Sequence, residues 1–382
     1  MSTFTINSNI QNISFNGYDV QKLMFNGNLV WEKDNTSQYI SKYLTIKVLS
    51  SGVSLKWKCN NTSYAYKIYY RKNGGSWTQI TPTTSGTSIS VSQGNIIEFR
   101  GDNNTYTPNG SSSYTNKFDI TGGSVEVYGN IMSLIYGQLF DDKTTFPDNS
   151  SLNFYSLFQN CTSITNIENL ILPATTLTAS CYSSMFGGCS NLIKGIKNLN
   201  ATTLAPSCCS QMFKSCSSLI NAPKLPATIA VEGCYYYMFE YCTSLITVPS
   251  LPATTVNNQC YMGMFSNCSS LINIPSILPA TTLARECYKY MFSSCTSLIN
   301  APELPATTLA IYCYGSMFIN CTSLRYLKAM FTTTPSNVYT ETWVSGCSNT
   351  SDFIFVKNSA ATWTTTGNNA VLSNWTIQRA SS

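Results

Sequence analysis

The 382-residue chain contains no histidine, which removes the commonest general base and the commonest metal ligand together. It is also poor in charge. Only 10% of its residues are Asp, Glu, Lys or Arg, against about a quarter in an ordinary soluble protein. Ser, Thr, Asn and Tyr must solvate the surface instead, a bias that suits work outside a cell or inside a large assembly. The net charge of +5 comes without a Lys/Arg run, so no nucleic-acid partner is expected. No stretch approaches the ~18 apolar residues of a membrane span. The opening MSTFTINSNIQNISFNGYDV has neither the basic nor the apolar region of a signal peptide. Membrane insertion and standard secretion are therefore not expected. The 17 acidic residues are scattered, and their one adjacent pair, Asp141-Asp142, sits in the polar stretch FDDKTTFPDN. No catalytic residue, metal or cofactor is expected, and the chain does not read as an enzyme.

What is present divides the chain into regions. The length argues for two or three domains. Residues 1–36 alternate apolar and polar side chains, with Phe4, Ile6, Ile13 and Phe15 in short strands. KLMFNGNLVWEK then reads as a hairpin turning at Asn26-Gly27 or Gly27-Asn28. So short a segment cannot bury a core alone. It reads as an anchor, with Met24, Phe25, Asn26, Gly27, Val30 and Trp31 as candidate contacts.

Residues 37–130 carry seven candidate strands, separated by turn signals such as Asn73-Gly74-Gly75 and Thr121-Gly122-Gly123. Short strands with regular turns predict an immunoglobulin-like β-sandwich. Tyr66, Tyr69, Tyr70 and Trp77 form either a glycan platform or the ordinary alternation of a sandwich face.

Residues 131–346 are repetitive. The pattern C-Y-x-x-M-F-x-x-C-x-S/N-L, followed by P-x-L-P-A-T-T-L, recurs with leading cysteines at Cys181, Cys208, Cys234, Cys260, Cys287 and Cys313. Trailing cysteines follow each by eight residues, and degenerate copies at Asn153–Cys161 and Thr340–Cys347 flank six full ones. Stacked repeats with atypical ends make a solenoid, and residues 347–382 read as its C-terminal cap. Taken as a short helix, CYxxMFxxC puts Cys, Met and Cys on one face at i, i+4 and i+8. The two cysteines would then lie about 12 Å apart, beyond the ~7 Å a disulfide tolerates. Bridges between stacked neighbours stay sterically open, but the sixteen cysteines read best as buried thiols.

Recognition should lie where repeats differ. Tyr236, Tyr237, Glu240 and Tyr241 stand out in one repeat, Arg285, Glu286, Lys289 and Tyr290 in another, with Tyr312 ahead of the next. Tyr and Arg clusters are the usual chemistry of interface hot spots; the alternative is a polar-aromatic surface without a partner. The consensus tyrosines Tyr182, Tyr235, Tyr261, Tyr288 and Tyr314 recur in register and read as a packing ladder.

The motif Met291-Phe292 to Cys295 and Leu298 resembles the BspA-type leucine-rich repeats, whose pattern runs A-F-x-x-C-x-x-L-x-x-I-x-I-P. The LPATTL block is similar to versions found in gut Bacteroidetes and their crAss-like phages. The likeness covers about 150 to 347. KLMFNGNLVWEK resembles the opening of phage tail-associated proteins, and the ending WTTTGNNAVLSNWTIQ resembles phage and surface-protein C-termini. These resemblances imply a leucine-rich-repeat α/β solenoid behind the β regions, and a phage virion protein such as a tail fibre. Its partners would be other virion proteins through the N-terminal segment and a host surface glycan or protein. A homo-oligomer, taken as a trimer, would shelter the N-terminal strands. A bacterial cell-surface adhesin is the alternative, with a capsule-degrading enzyme behind it.

Overall fold

The computed structural model describes residues 13–15, 18–20, 22–25, 28–32, 42–102, 116–147, 152–363 and 371–380. Four short strands come first: β1 (Ile13–Phe15), β2 (Tyr18–Val20), β3 (Lys22–Phe25) and β4 (Asn28–Glu32). They pair as two antiparallel hairpins, Ile13 opposite Val20 and Lys22 opposite Glu32. KLMFNGNLVWEK is thus a hairpin, with a register shift between Leu23 and Met24. Asn26, Gly27 and the anchor side chains of Met24, Phe25, Val30 and Trp31 lie outside what is described.

Eight strands follow: β5 (Leu44–Val48), β6 (Ser54–Cys59), β7 (Ile68–Lys72), β8 (Thr78–Gln79), β9 (Thr87–Ile89), β10 (Ile96–Gly101), β11 (Asn116–Thr121) and β12 (Val125–Asn130). Alternation at period two buries Leu44, Ile46 and Val48 on β5 and Leu55 and Trp57 on β6. One sheet runs β12-β5-β10-β7-β8 and a second runs β11-β6-β9. Phe118 joins them, packing edge-on to Trp57 and Phe99 at 4.9 Å. After the single turn of helix α1 (Ser133–Tyr136), β13 (Ile164–Asn166) and β14 (Leu170–Ile171) return to pair parallel with β12. The immunoglobulin-like sandwich expected within 37–130 is corrected accordingly. The first sheet is completed by strands from the repeat region, so residues 37–130 do not form a self-contained sandwich.

The repeats require a larger correction. The chain is nearly all β, 2% helical against 24% strand, and the leucine-rich-repeat α/β solenoid is not found. CYxxMFxxC is not a helix. From Ser180 to Gly188, the N–H groups of Ser180, Tyr182, Ser184, Phe186 and Gly188 donate to carbonyls of the next repeat, Pro206, Cys208, Ser210, Met212 and Lys214, at 2.8–3.0 Å. The intervening N–H groups, of Cys181, Ser183, Met185, Gly187 and Cys189, donate three residues back within their own repeat. An α-helix would instead send every N–H four residues back. Alternation satisfies the backbone while tying each coil to the next. It requires a left-handed residue every fourth position: Ser180, Ser184 and Gly188 have φ of 55°, 53° and 77°. The motif's spacing of four, rather than 3.6, reflects that geometry.

Side chains stack in the same register. Phe158, Phe186, Phe213, Phe239, Phe265, Phe292 and Phe318 form a column with centroids 5.4–5.8 Å apart. Tyr235, Tyr261, Tyr288 and Tyr314 form a second, 5.6–6.1 Å apart. This is the expected ladder without Tyr182, which stacks on Phe154 at 6.3 Å because Cys209 takes the tyrosine slot of the next coil. The trailing cysteines make a third. Cys216, Cys242, Cys268, Cys295 and Cys321 each donate S–H to the Phe carbonyl one coil earlier, at 3.0–3.1 Å. All sixteen cysteines are free and buried, so the inter-coil bridges are not formed.

Between the columns, short parallel pairings link coils, as where β15 (Ile229–Ala230) meets β16 (Thr255–Val256). The C-terminal end is a parallel sheet of β17 (Tyr326–Ala329), β18 (Ile354–Lys357) and β19 (Thr376–Arg379). Phe331 and Trp363 stack at 5.3 Å to continue the apolar core there.

Candidate functional site

Residues one coil apart in the same slot are neighbours, so irregular residues 26 or 27 positions apart gather on the surface. Lys214 and Glu240 share the slot after Met-Phe in adjacent coils. Their ion pair closes to 2.8 Å, with the Glu240 side chain largely buried. The Lys214 ammonium also lies 5.7 Å from the centre of the Tyr237 ring. Tyr236 meets Tyr237 edge-on at 4.5 Å.

Tyr237, Gly263 and Tyr290 share another slot. Gly263 has φ of 60°, and a β-carbon there would fall 2.2 Å from the Tyr237 ring. The missing side chain lets that ring lie over the next coil. Burial raises the Tyr237 hydroxyl pKa, and the nearby Tyr236, Glu240, Tyr290 and Glu286 push it in the same direction. The Tyr237 N–H donates to the Met262 carbonyl at 2.9 Å and the Gly263 N–H to the Lys289 carbonyl at 2.8 Å, so the two sequence clusters lie on nearby coils.

The second cluster centres on Glu286, which is buried. Gln259, in the same slot one coil earlier, donates to its Oε2 at 2.6 Å. Lys289 approaches Oε1 at 3.4 Å, and Arg285 approaches Oε2 at 3.8 Å. Burial pushes the Glu286 carboxyl up. The Gln259 hydrogen bond and the charges of Lys289 and Arg285 outweigh it and hold the pKa below the ordinary value. Lys289 also lies over Tyr290 at 5.4 Å and Tyr312 at 4.6 Å.

The structure therefore gathers Tyr236, Tyr237, Glu240, Arg285, Glu286, Lys289, Tyr290 and Tyr312 on one patch. Tyr241 is solvent-exposed and, among the described residues, makes none of the ring or ion-pair contacts that tie the others together. Lys214, Gln259 and Gly263 belong to the patch but escaped the sequence reading. Adding or subtracting one repeat length from Glu240, Glu286 and Tyr237 would have found them.

The tyrosines and tryptophan of the β region behave differently. Tyr66 is buried, and Tyr69 and Tyr70 are half-buried. Trp77 is held between Arg71 and Arg100, each 4.8 Å from its ring. Arg71 is itself fixed to Glu98 by two hydrogen bonds of 2.7 and 2.9 Å. Beside this lies a recess of about 320 Å³ lined by Tyr43, Arg71, Glu98 and Tyr128. Asp142 pairs with Lys143 at 3.1 Å on the surface. Among the described residues no three His, Cys, Asp or Glu side chains gather as a metal site, and no helix is long and apolar enough to cross a membrane.

Comparison with protein-family models, curated proteins and solved structures finds no match for the chain. The patch must be interpreted from its own chemistry.

Proposed function

We propose that the chain is a structural recognition protein of a phage particle, a tail fibre or similar appendage, that holds a host-surface glycan on the Tyr237–Tyr312 patch. One observation carries the binding half of this reading. Residues that break the repeat pattern in successive coils converge on a single surface whose side chains are already held in place. Tyr237 lies over Gly263, and Lys289 is fixed by Glu286, Tyr290 and Tyr312. Preorganised groups lose little entropy on binding. Aromatic faces beside charged hydrogen-bonding groups suit a sugar ring with its hydroxyls. The virion half rests on the resemblance of the N-terminal hairpin to the opening of phage tail-associated proteins.

The test is binding of the full-length protein, fluorescently labelled, to host bacteria with and without their surface polysaccharide. Binding that requires polysaccharide and falls at least tenfold in Lys289→Ala supports the reading. Equal binding to stripped cells overturns the glycan assignment. Mass spectrometry of purified particles tests the virion assignment separately, and absence there removes it.

A further inference from the structure

Five of the six full repeats place an isoleucine directly after the buried leucine, and all five isoleucines face solvent. Ile193, Ile220, Ile246, Ile272 and Ile299 are 44, 38, 41, 51 and 48% exposed, while the preceding Leu192, Leu219, Leu245, Leu271 and Leu298 are fully buried. Backbone hydrogen bonds join the first four of them into a column, and Ile299 holds the same slot in the next coil. The N–H of Ile220 donates to Ile193, that of Ile246 to Ile220 and that of Ile272 to Ile246, at 3.1–3.4 Å. Both ends of the column are polar. Thr165 precedes Ile193 in the same slot and Arg325 follows Ile299, each joined by the same kind of hydrogen bond. A row of hydroxyls runs alongside, Ser217, Thr243, Ser269 and Thr296, each donating to a carbonyl of the coil before. A recess of about 290 Å³ opens between Ile193 and Ile220.

We propose that this stripe is the interface between copies of the chain, packed side by side, parallel and in register. Five half-exposed isoleucines present on the order of 400 Å² of contiguous apolar surface, the size of patch that on a monomer often marks an interaction site. Two copies would remove about 800 Å² through the stripe alone, half of a standard interface of ~1,600 Å². The flanking hydroxyl row is placed to supply more. A column of identical side chains has a fixed pitch of about 5 Å per coil. A second copy is the one partner that shares this pitch by construction, so its isoleucines can interdigitate along the whole stripe.

Charge opposes the parallel arrangement only weakly. Lys194 and Lys197 lie at 4.0 and 3.6 Å from Glu168, and Arg325 lies 3.3 Å from Asp352. The Arg325 end is thus matched one to one. At the other end two lysines share one carboxylate and leave a single net positive charge, a repulsion between copies that solvent and salt screen. The parallel direction rests on the virion reading above, in which the N-terminal segments of all copies attach to one particle.

Because every native cysteine is buried, an introduced one reports on the stripe alone. Ile193→Cys and Ile246→Cys, each in the full chain and mildly oxidised, are expected to form covalent dimers with themselves, while the unmodified chain does not. Ile246→Lys, an exposed substitution, is expected to reduce the mass measured by light scattering to that of the monomer. A monomeric mass for the unmodified chain at tens of micromolar overturns the proposal. So does cross-linking of Ile193→Cys with Ile299→Cys but not with itself, which marks antiparallel copies. Retained, polysaccharide-dependent cell binding by monomeric Ile246→Lys keeps the two readings separable. Failure of the stripe then leaves the glycan patch standing, and failure of cell binding leaves the cross-linking result intact.

Discussion

The ring of Phe118 lies on that of Phe158 with centroids 5.1 Å apart and planes 7° from parallel. Phe118 belongs to β11, in the β region, yet it occupies the first rung of the Phe column. The backbone agrees. The Phe118 N–H donates to the Leu157 carbonyl at 2.9 Å, and Cys161 donates its S–H to the Phe118 carbonyl at 3.2 Å. Every later trailing cysteine addresses the Phe of the preceding coil in the same way. The β strand thus serves as the coil before the first, and it covers an edge that would otherwise be open to aggregation.

Phe118→Ala should therefore cost more than its place in a small sheet suggests. It removes contacts to Trp57, Phe99 and Phe158 at once. The expected loss is about 3–5 kcal/mol, as for other buried Phe truncations. Urea unfolding should change from one transition to two, because the β region and the stack lose their shared rung. A single transition with a small shift would show that the joint carries little stability.

The backbone of the repeats gives a prediction of sign. Ser294 has φ of 57°, a conformation costing a non-glycine residue about 1–2 kcal/mol in a regular left-handed setting. Glycine adopts it freely, at the expense of a more disordered unfolded chain. Ser294→Gly is expected to leave stability unchanged or raise it by up to about 1 kcal/mol. In the interior of a helix the same substitution would lower stability by about 0.5–1 kcal/mol. Thermal melts of the pair decide the matter.

That contrast also shows how far the sequence could be read. The period, the number of full copies and the buried status of Cys, Met, Phe and Leu were visible because identical slots must stack on identical slots. The backbone was not visible. A spacing of Cys181, Met185 and Cys189 fits i, i+4 and i+8 of a helix as well as it fits alternating turns. The discriminating signal was the residues between, Ser, Gly, Asn and Gln, which favour left-handed turns over helix interiors. The joint was hidden for another reason. Phe118 carries no repeat motif around it, so only three-dimensional register reveals that it completes the column. The candidate patch was half legible: its tyrosines and charges broke the pattern, but Gly263 contributes by lacking a side chain.

Burial should silence the thiols. The pKa values of Cys161, Cys260, Cys313 and Cys347 are pushed up to about 12 by desolvation. At pH 8 such a thiol is about one part in ten thousand thiolate, the form that reacts. Ellman's reagent is expected to titrate none of the sixteen in the native protein and all of them in guanidinium. Rapid reaction of several native thiols would show that the stack opens locally.

Glu286 should make the patch acid-sensitive. Its folded pKa lies below the ordinary carboxylate value, so its ion pairs stabilise the fold above about pH 4.5. That contribution is lost as pH falls further, through the folded pKa. Urea midpoints measured from pH 7 to pH 3 should decline more steeply for the unmodified chain than for Glu286→Gln, with the curves converging at the acid end. Parallel curves would show that the carboxylate is not held by Gln259, Lys289 and Arg285 in solution.

Gly263→Ala separates scaffold from recognition. The added β-carbon would fall 2.2 Å from the Tyr237 ring and must also sit at φ of 60°. The ring is a side chain with solvent on one side, so it can lift away. The backbone penalty is on the order of 1 kcal/mol, small for a stack this extensively hydrogen-bonded. The protein is therefore expected to fold, with a modest loss of thermal stability. Tyr237 would no longer lie over the neighbouring coil, and its contact with Lys214 would go with it. Binding to polysaccharide-bearing cells should fall by about tenfold or more, matching Tyr237→Ala rather than adding to it in the double variant, because both remove the same aromatic face. Full binding by Gly263→Ala, with the fold intact by circular dichroism, would remove Tyr237 from the site and leave the Lys289 cluster to account for recognition alone.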